Sequence, residues 1–95
     1  MLGTLVIVTI AYSDGSGHKA RPAVVVGAQR LQLVVRPCYS YGGTVADDWR
    51  SVPIGDWRDA GLDGPSWVAE DEVLIARSEI RDQLGRLTAA DWNQL

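Results

Sequence analysis

The stretch from Thr4 to Tyr12 constrains this chain more than any other. It reads TLVIVTIAY, almost continuously apolar and rich in valine and isoleucine. It is too short for a typical helix, and β-branched side chains suit a pleated surface, so it predicts a strand buried on both faces. Such a strand needs cover on each face. The rest of the chain must supply that cover within 95 residues, which is one domain. A chain of this length buries little more than ~60% of the surface its unfolded form exposes. A second copy that covers apolar surface is a natural remedy.

The following segments read as further short strands. Ser13-Asp14-Gly15-Ser16-Gly17 breaks the first run as a loop. Pro22 opens a second strand over Ala23 to Gly27, and a tight connection through Ala28, Gln29 and Arg30 leads to a third, Leu31 to Arg36. A connection this short favours antiparallel pairing. Pro37 is expected to stop the third strand, with a polar loop around Gly42-Gly43 after it. Arg50 to Ile54 alternates as a fourth strand, and Trp57 to Gly64 predicts a turn or one loose helical turn. Ser66 to Ala69 and Val73 to Ala76 predict two more strands, and Ser78 to Gln83 a short helix. Thr88-Ala89-Ala90-Asp91 fits a capping box at the start of a short helix running towards Leu95. Many short strands with turns between them and a terminal helix predict a small antiparallel barrel.

Composition removes several function classes. One cysteine, Cys38, and one histidine, His18, cannot supply a structural zinc site or an intramolecular disulfide. No calcium-loop or phosphate-loop pattern is present. The Leu5–Tyr12 run is too short to span a bilayer and no small-residue cleavage pattern follows it, so no membrane association and a cytoplasmic location are expected. The net charge of −3 does not announce a nucleic-acid binder. The basic residues nevertheless gather early, at Lys19, Arg21, Arg30, Arg36, Arg50 and Arg58, and most acids lie between Asp56 and Asp91. That asymmetry fits a local cationic groove or plain solvated charge.

Five segments in order carry a resemblance. They are Gly3-Thr4-Leu5-Val6-Ile7-Val8 with Tyr12-Ser13-Asp14-Gly15-Ser16-Gly17; Arg21-Pro22-Ala23-Val24-Val25-Val26; Arg36-Pro37-Cys38-Tyr39-Ser40; Gly61-Leu62 with Pro65-Ser66-Trp67-Val68 and Asp71; and Leu84-Gly85-Arg86-Leu87-Thr88-Ala89-Ala90-Asp91. Together they resemble the MazF/PemK family of toxins over nearly the whole chain. The resemblance implies an SH3-like (MazF/CcdB-like) small antiparallel barrel with a short C-terminal helix, spanning residues 1–95 as one domain. It implies a homodimer that cleaves single-stranded RNA, such as mRNA, at short sequences without a cofactor. It also implies a cognate antitoxin that blocks the RNA groove.

Metal-free RNA cleavage must take a proton from the 2′-hydroxyl, return one to the leaving 5′-oxygen and stabilise charge on the phosphate. An arginine suits the last task, because its planar fork meets two oxygens and stays charged. Arg21 matches the family's catalytic arginine, and Pro22 fixes the backbone directly after it. Ser40 matches the serine of the family's Pro-Ile-Thr-Ser segment; alternatively it bonds its own backbone. Tyr39 stands where the family has a threonine. Its hydroxyl can donate from further out, its ring can stack on a base, or it is a half-buried barrel aromatic. Ala69 stands where related toxins often carry a second arginine. His18, the one imidazole, is a candidate proton carrier in that arginine's place, or a solvated loop residue. Lys19, Arg36, Asp71 and Trp49 are candidate RNA contacts. Cys38 reads as core packing. Trp67 and Trp92 read as core or dimer contacts, whereas Trp49 and Trp57 either stack on bases or cover the barrel's open end.

Three functions are compatible with these residues. The first is a ribonuclease toxin whose cleavage survives EDTA. The second is a related barrel that has lost cleavage through Tyr39 and Ala69 and binds RNA or a protein target. The third is an SH3-like interaction module without toxicity.

Overall fold

The computed structural model describes residues 1–11, 18–40 and 51–95, with the side chains of 10, 11, 18, 19 and 40 left aside. The expected loops at 13–17 and 42–43, together with Tyr12, Trp49 and Arg50, lie outside the described residues. Among the described residues the chain is mainly β. Seven strands, antiparallel at every pairing, form one sheet with one short helix. The strands are β1 (Thr4–Ala11), β2 (His18–Ala28), β3 (Gln32–Ser40), β4 (Val52–Pro53), β5 (Ser66–Val68), β6 (Val73–Ala76) and β7 (Ile80–Arg86); the helix is α1 (Ala89–Trp92). The strand order is β4-β5-β3-β2-β1-β7, with β6 also on β3.

Strand β1 is buried on both faces, as its composition demands. Leu5 enters one apolar cluster with Val24, Cys38, Ile54, Ala60, Val68 and Leu87. Its neighbours Val6 and Val8 enter a second with Ala23, Val25, Leu33, Val35 and Ile75. Adjacent positions of β1, β2 and β3 therefore feed different clusters, which follows from the two-residue period of a strand. A fully buried aliphatic side chain contributes about 1.5–3 kcal/mol, and Leu5, Val6, Val8, Val24, Val25, Leu33 and Val35 are all fully buried.

Three expectations are corrected. Strand β2 begins at His18 rather than at Pro22, because it pairs with β1 from Ala11↔His18 onward. Its pairing with β3 starts only at Ala23, so Pro22 removes no rung there. Pro37 does not end β3, which continues to Ser40. On its outer edge β3 pairs with β6 over 32–35 and with β5 over 38–40, and Pro37 sits at the seam where the partner changes. Its carbonyl still accepts the amide of Ala69 at 2.9 Å, so the missing N–H falls where no ladder bond is needed. Ser78–Gln83 is not a helix. Arg77–Glu79 forms one 3-10 turn and β7 follows, pairing with β1 from Val8↔Ile80 to Thr4↔Arg86. An unpaired β1 edge would leave its backbone groups without partners, and that tertiary demand overrides local helix preference.

Two joints hold the remaining segments over the first cluster. Gly61, at φ +87°, packs on the backbone of Leu84, and Gly85 packs on Ala60, where an added Cβ would lie 2.5 Å from the carbonyl oxygen. The 55–62 turn is thereby pressed onto β7. Thr88 caps α1, its Oγ1 accepting the amide of Asp91 at 3.3 Å. Only that half of the expected capping box forms between Thr88 and Asp91. The buried carboxylate of Asp91 instead accepts the amides of Gly55 and Asp56, both at 2.9 Å, and so ties the helix to the turn.

Candidate active site

Arg21 lies opposite Val8 in the β1–β2 ladder, with Pro22 opposite Ile7. A residue that precedes proline is held extended, so the local sequence limits where this arginine can point. Its guanidinium carbon stands 4.5 Å from the centre of the Tyr39 ring. Tyr39 in turn pairs with Trp67 across β3 and β5, the rings 5.0 Å apart and tilted by 30°. Three strands thus contribute a stack of cation, phenol and indole. Arg21 and Tyr39 are half-buried, whereas Trp67 is 2% exposed. Among the described residues, the buried indole Nε1 of Trp67 has no hydrogen-bond partner, and neither has Oγ of Ser51.

Arg21 and Tyr39 line a cavity of about 330 Å³. Ile7, Pro22, Leu62 and Leu84 give it apolar walls, and the Gly61–Gly64 segment closes one side with Asp63. Ser66 is also in the lining, its hydroxyl already donating to the carbonyl of Gly64 at 3.0 Å. Neither Arg21 nor Asp63 makes an ion pair with a described residue. Among the described residues, then, the lining includes one basic and one acidic residue, half-buried Arg21 and exposed Asp63, that form no ion pair with each other. A half-buried guanidinium without a carboxylate partner is suited to a phosphate or another anion.

The expected site residues fall into three groups. Arg21 and Tyr39 are brought together. The backbones of His18, Lys19 and Ser40 lie on the same strands, His18 and Lys19 opposite Ala11 and Ile10, and Ser40 opposite Ser66 beside the Tyr39–Trp67 pair; their side chains, and Trp49, lie outside the described set. Arg36 and Asp71 are placed elsewhere. Arg36 lines a separate cavity of about 460 Å³ with Val26, Val34, Glu72 and Trp92, and its Nε donates to the carbonyl of Ala69 at 2.6 Å. Asp71 is exposed on the link between β5 and β6.

Trp57 packs against the first apolar cluster, with the Arg58 guanidinium 5.0 Å from its ring centre. Cys38 lines the Arg21 cavity, yet its thiol is pushed up to about 12 by burial, against the smaller opposing pull of Arg36 and a backbone bond from Val24. It stays protonated near neutrality and packs as an apolar side chain. Among the described residues no group of three or more histidine, cysteine or acidic side chains is placed to hold a metal ion.

No sequence signal marks Asp63, whereas Trp67, read as a core or dimer contact, is buried at 2% exposure in keeping with the core reading and also stacks on Tyr39. Asp63 sits in a glycine-flanked turn without periodicity. Trp67 joins the site only through the β3–β5 register, which no local pattern encodes. No protein-family model matches the chain, and a search of curated proteins finds no match either.

Proposed function

We propose that this protein is the toxin of a type II toxin–antitoxin system, of MazF/PemK type on an SH3-like barrel, and that it cleaves single-stranded RNA without a metal ion. One observation supports this above the others: the Arg21 guanidinium, set over the Tyr39 ring, borders a cavity and has no carboxylate partner among the described residues. A ribose-phosphate link lying against it would have its phosphorus oxygens met by a bidentate, permanently charged donor as negative charge develops. The 2′-hydroxyl would attack the phosphorus, the bond to the 5′-oxygen would break, and the products would carry a 2′,3′-cyclic phosphate and a 5′-hydroxyl. His18 is the proposed proton carrier, and the Ser40 hydroxyl is proposed to donate a hydrogen bond to the phosphate; Lys19, Asp71, Arg36 and Trp49 are proposed to contact RNA further along its path. A homodimer, an antitoxin partner and a cytoplasmic setting belong to the same proposal.

A second reading keeps RNA binding without cleavage. It is favoured by Tyr39, which sets an aromatic ring rather than a small hydroxyl beside Arg21. Incubation of the purified protein with a long RNA in EDTA, with fragment ends mapped, separates the two. Cleavage that disappears in Arg21→Ala supports the first; binding by gel shift with intact RNA supports the second.

A further inference from the structure

Resting on the ribonuclease reading, we propose that the cavity beside Arg21 reads one base of the RNA and selects for an exocyclic amino group through Asp63. Its volume of about 330 Å³ lies at the small end of ligand cavities, roughly 300–1,000 Å³, and suits one nucleotide rather than a run of them. The two charged residues in its lining are unlike, and neither forms an ion pair with a described residue. Had the Arg21 guanidinium and the Asp63 carboxylate approached within ion-pair distance, they would neutralise each other and leave a plain apolar pocket. Separated, they complement a ligand that is anionic at one end and a hydrogen donor at the other. A nucleotide has this form: its phosphate meets Arg21, and its base enters between Ile7, Pro22, Leu62 and Leu84.

Asp63 then sets the choice of base. An ionised carboxylate only accepts hydrogen bonds. The amino groups of cytosine, adenine and guanine donate to it, as acidic side chains do to the cytosine amino group in duplex recognition. Uracil presents a carbonyl oxygen at the position of the cytosine amino group, so a carboxylate aligned with that position meets an acceptor and finds no donor there. Ser66 does not offset this, because its hydroxyl donates to Gly64. Single-stranded RNA exposes these base edges, and their reading there needs no groove.

The test uses non-cleavable 2′-O-methyl pentanucleotides of cytidine and of uridine, titrated against the full chain by fluorescence anisotropy. The wild type is expected to bind the cytidine oligomer at least about fivefold more tightly, the equivalent of 1 kcal/mol for one good base contact. Asp63→Asn, whose carboxamide donates as well as accepts, is expected to erase or invert that ratio, mainly through tighter uridine binding. Asp59→Asn removes a nearby exposed charge that does not line this cavity and is expected to leave the ratio unchanged. Equal affinity of the wild type for both oligomers, or an equal shift in both variants, overturns the base-reading role. If long RNA is still cleaved in either case, the ribonuclease reading stands and only the subsite falls. If neither oligomer binds and no RNA is cleaved, both fall together.

Discussion

Replacing Tyr39 by leucine tests what the aromatic ring contributes to Arg21. A cation over an aromatic ring is worth about 0.5–1 kcal/mol when exposed and about 2 kcal/mol when desolvated. Arg21 is half-buried with its guanidinium carbon 4.5 Å from the ring centre, so a contribution of about 1 kcal/mol is expected. That corresponds to about fivefold in an equilibrium or rate ratio. Loss of the ring also frees the arginine to sample rotamers that do not face the cavity. Tyr39→Leu should therefore lower kcat/KM for RNA cleavage by about 5- to 10-fold, whereas Tyr39→Phe should remain within about twofold because the ring persists. The Nε–Hε resonance of Arg21 gives an RNA-independent readout. It should be shifted upfield by the ring current in the wild type and in Tyr39→Phe, and return to the ordinary position in Tyr39→Leu. Equal losses in the phenylalanine and leucine variants would show that the hydroxyl, not the ring, matters. An unshifted wild-type resonance would refute the stacking itself.

Other perturbations address the scaffold and the thiol. Gly61→Ala and Gly85→Ala force a Cβ onto the backbone of Leu84 and Ala60 respectively, and each should cost about 1–3 kcal/mol or more in urea unfolding. Asp91→Ala strands the amides of Gly55 and Asp56; at roughly 1.5–3 kcal/mol for a hydrogen bond to a charged group, it should lower the thermal midpoint more than Ala90→Ser on the exposed side of α1. Cys38, pushed up to about 12 by burial, should resist alkylation at pH 8 in the native state and react in denaturant. Its unfolded form loses a proton above the ordinary value of 9.0 while the folded form keeps it up to about 12. Stability should therefore fall between those values by about 1.4 kcal/mol per pH unit from this group, and Cys38→Ala should remove that component of the slope.

The parts of the fold legible in the sequence are those set by local pattern. The Val/Ile-rich run of β1, the short apolar segment of β6 and the Thr88 cap follow from periodicity and side-chain chemistry within a few residues. What local pattern does not encode depends on partners distant in sequence. Pro37 is a strand breaker by local rule, yet it lies where β3 exchanges β6 for β5. Ser78–Gln83 has few apolar residues and is drawn into the sheet only because the edge of β1 needs pairing. The site divides in the same way. Arg21 and Tyr39 were nameable from the Arg-Pro motif and the segment after Pro37. The apposition of Tyr39 with Trp67, the inclusion of Asp63 and the diversion of Arg36 to the Ala69 carbonyl are products of register.

The most direct measurement is the fate of a long single-stranded RNA incubated with purified protein in excess EDTA, beside the Arg21→Ala variant at equal circular dichroism. If the guanidinium of residue 21 carries metal-free phosphodiester cleavage, the wild type yields fragments with 5′-hydroxyl ends and the variant leaves the RNA intact. Intact RNA with both proteins, or equal cleavage by both, would contradict that role.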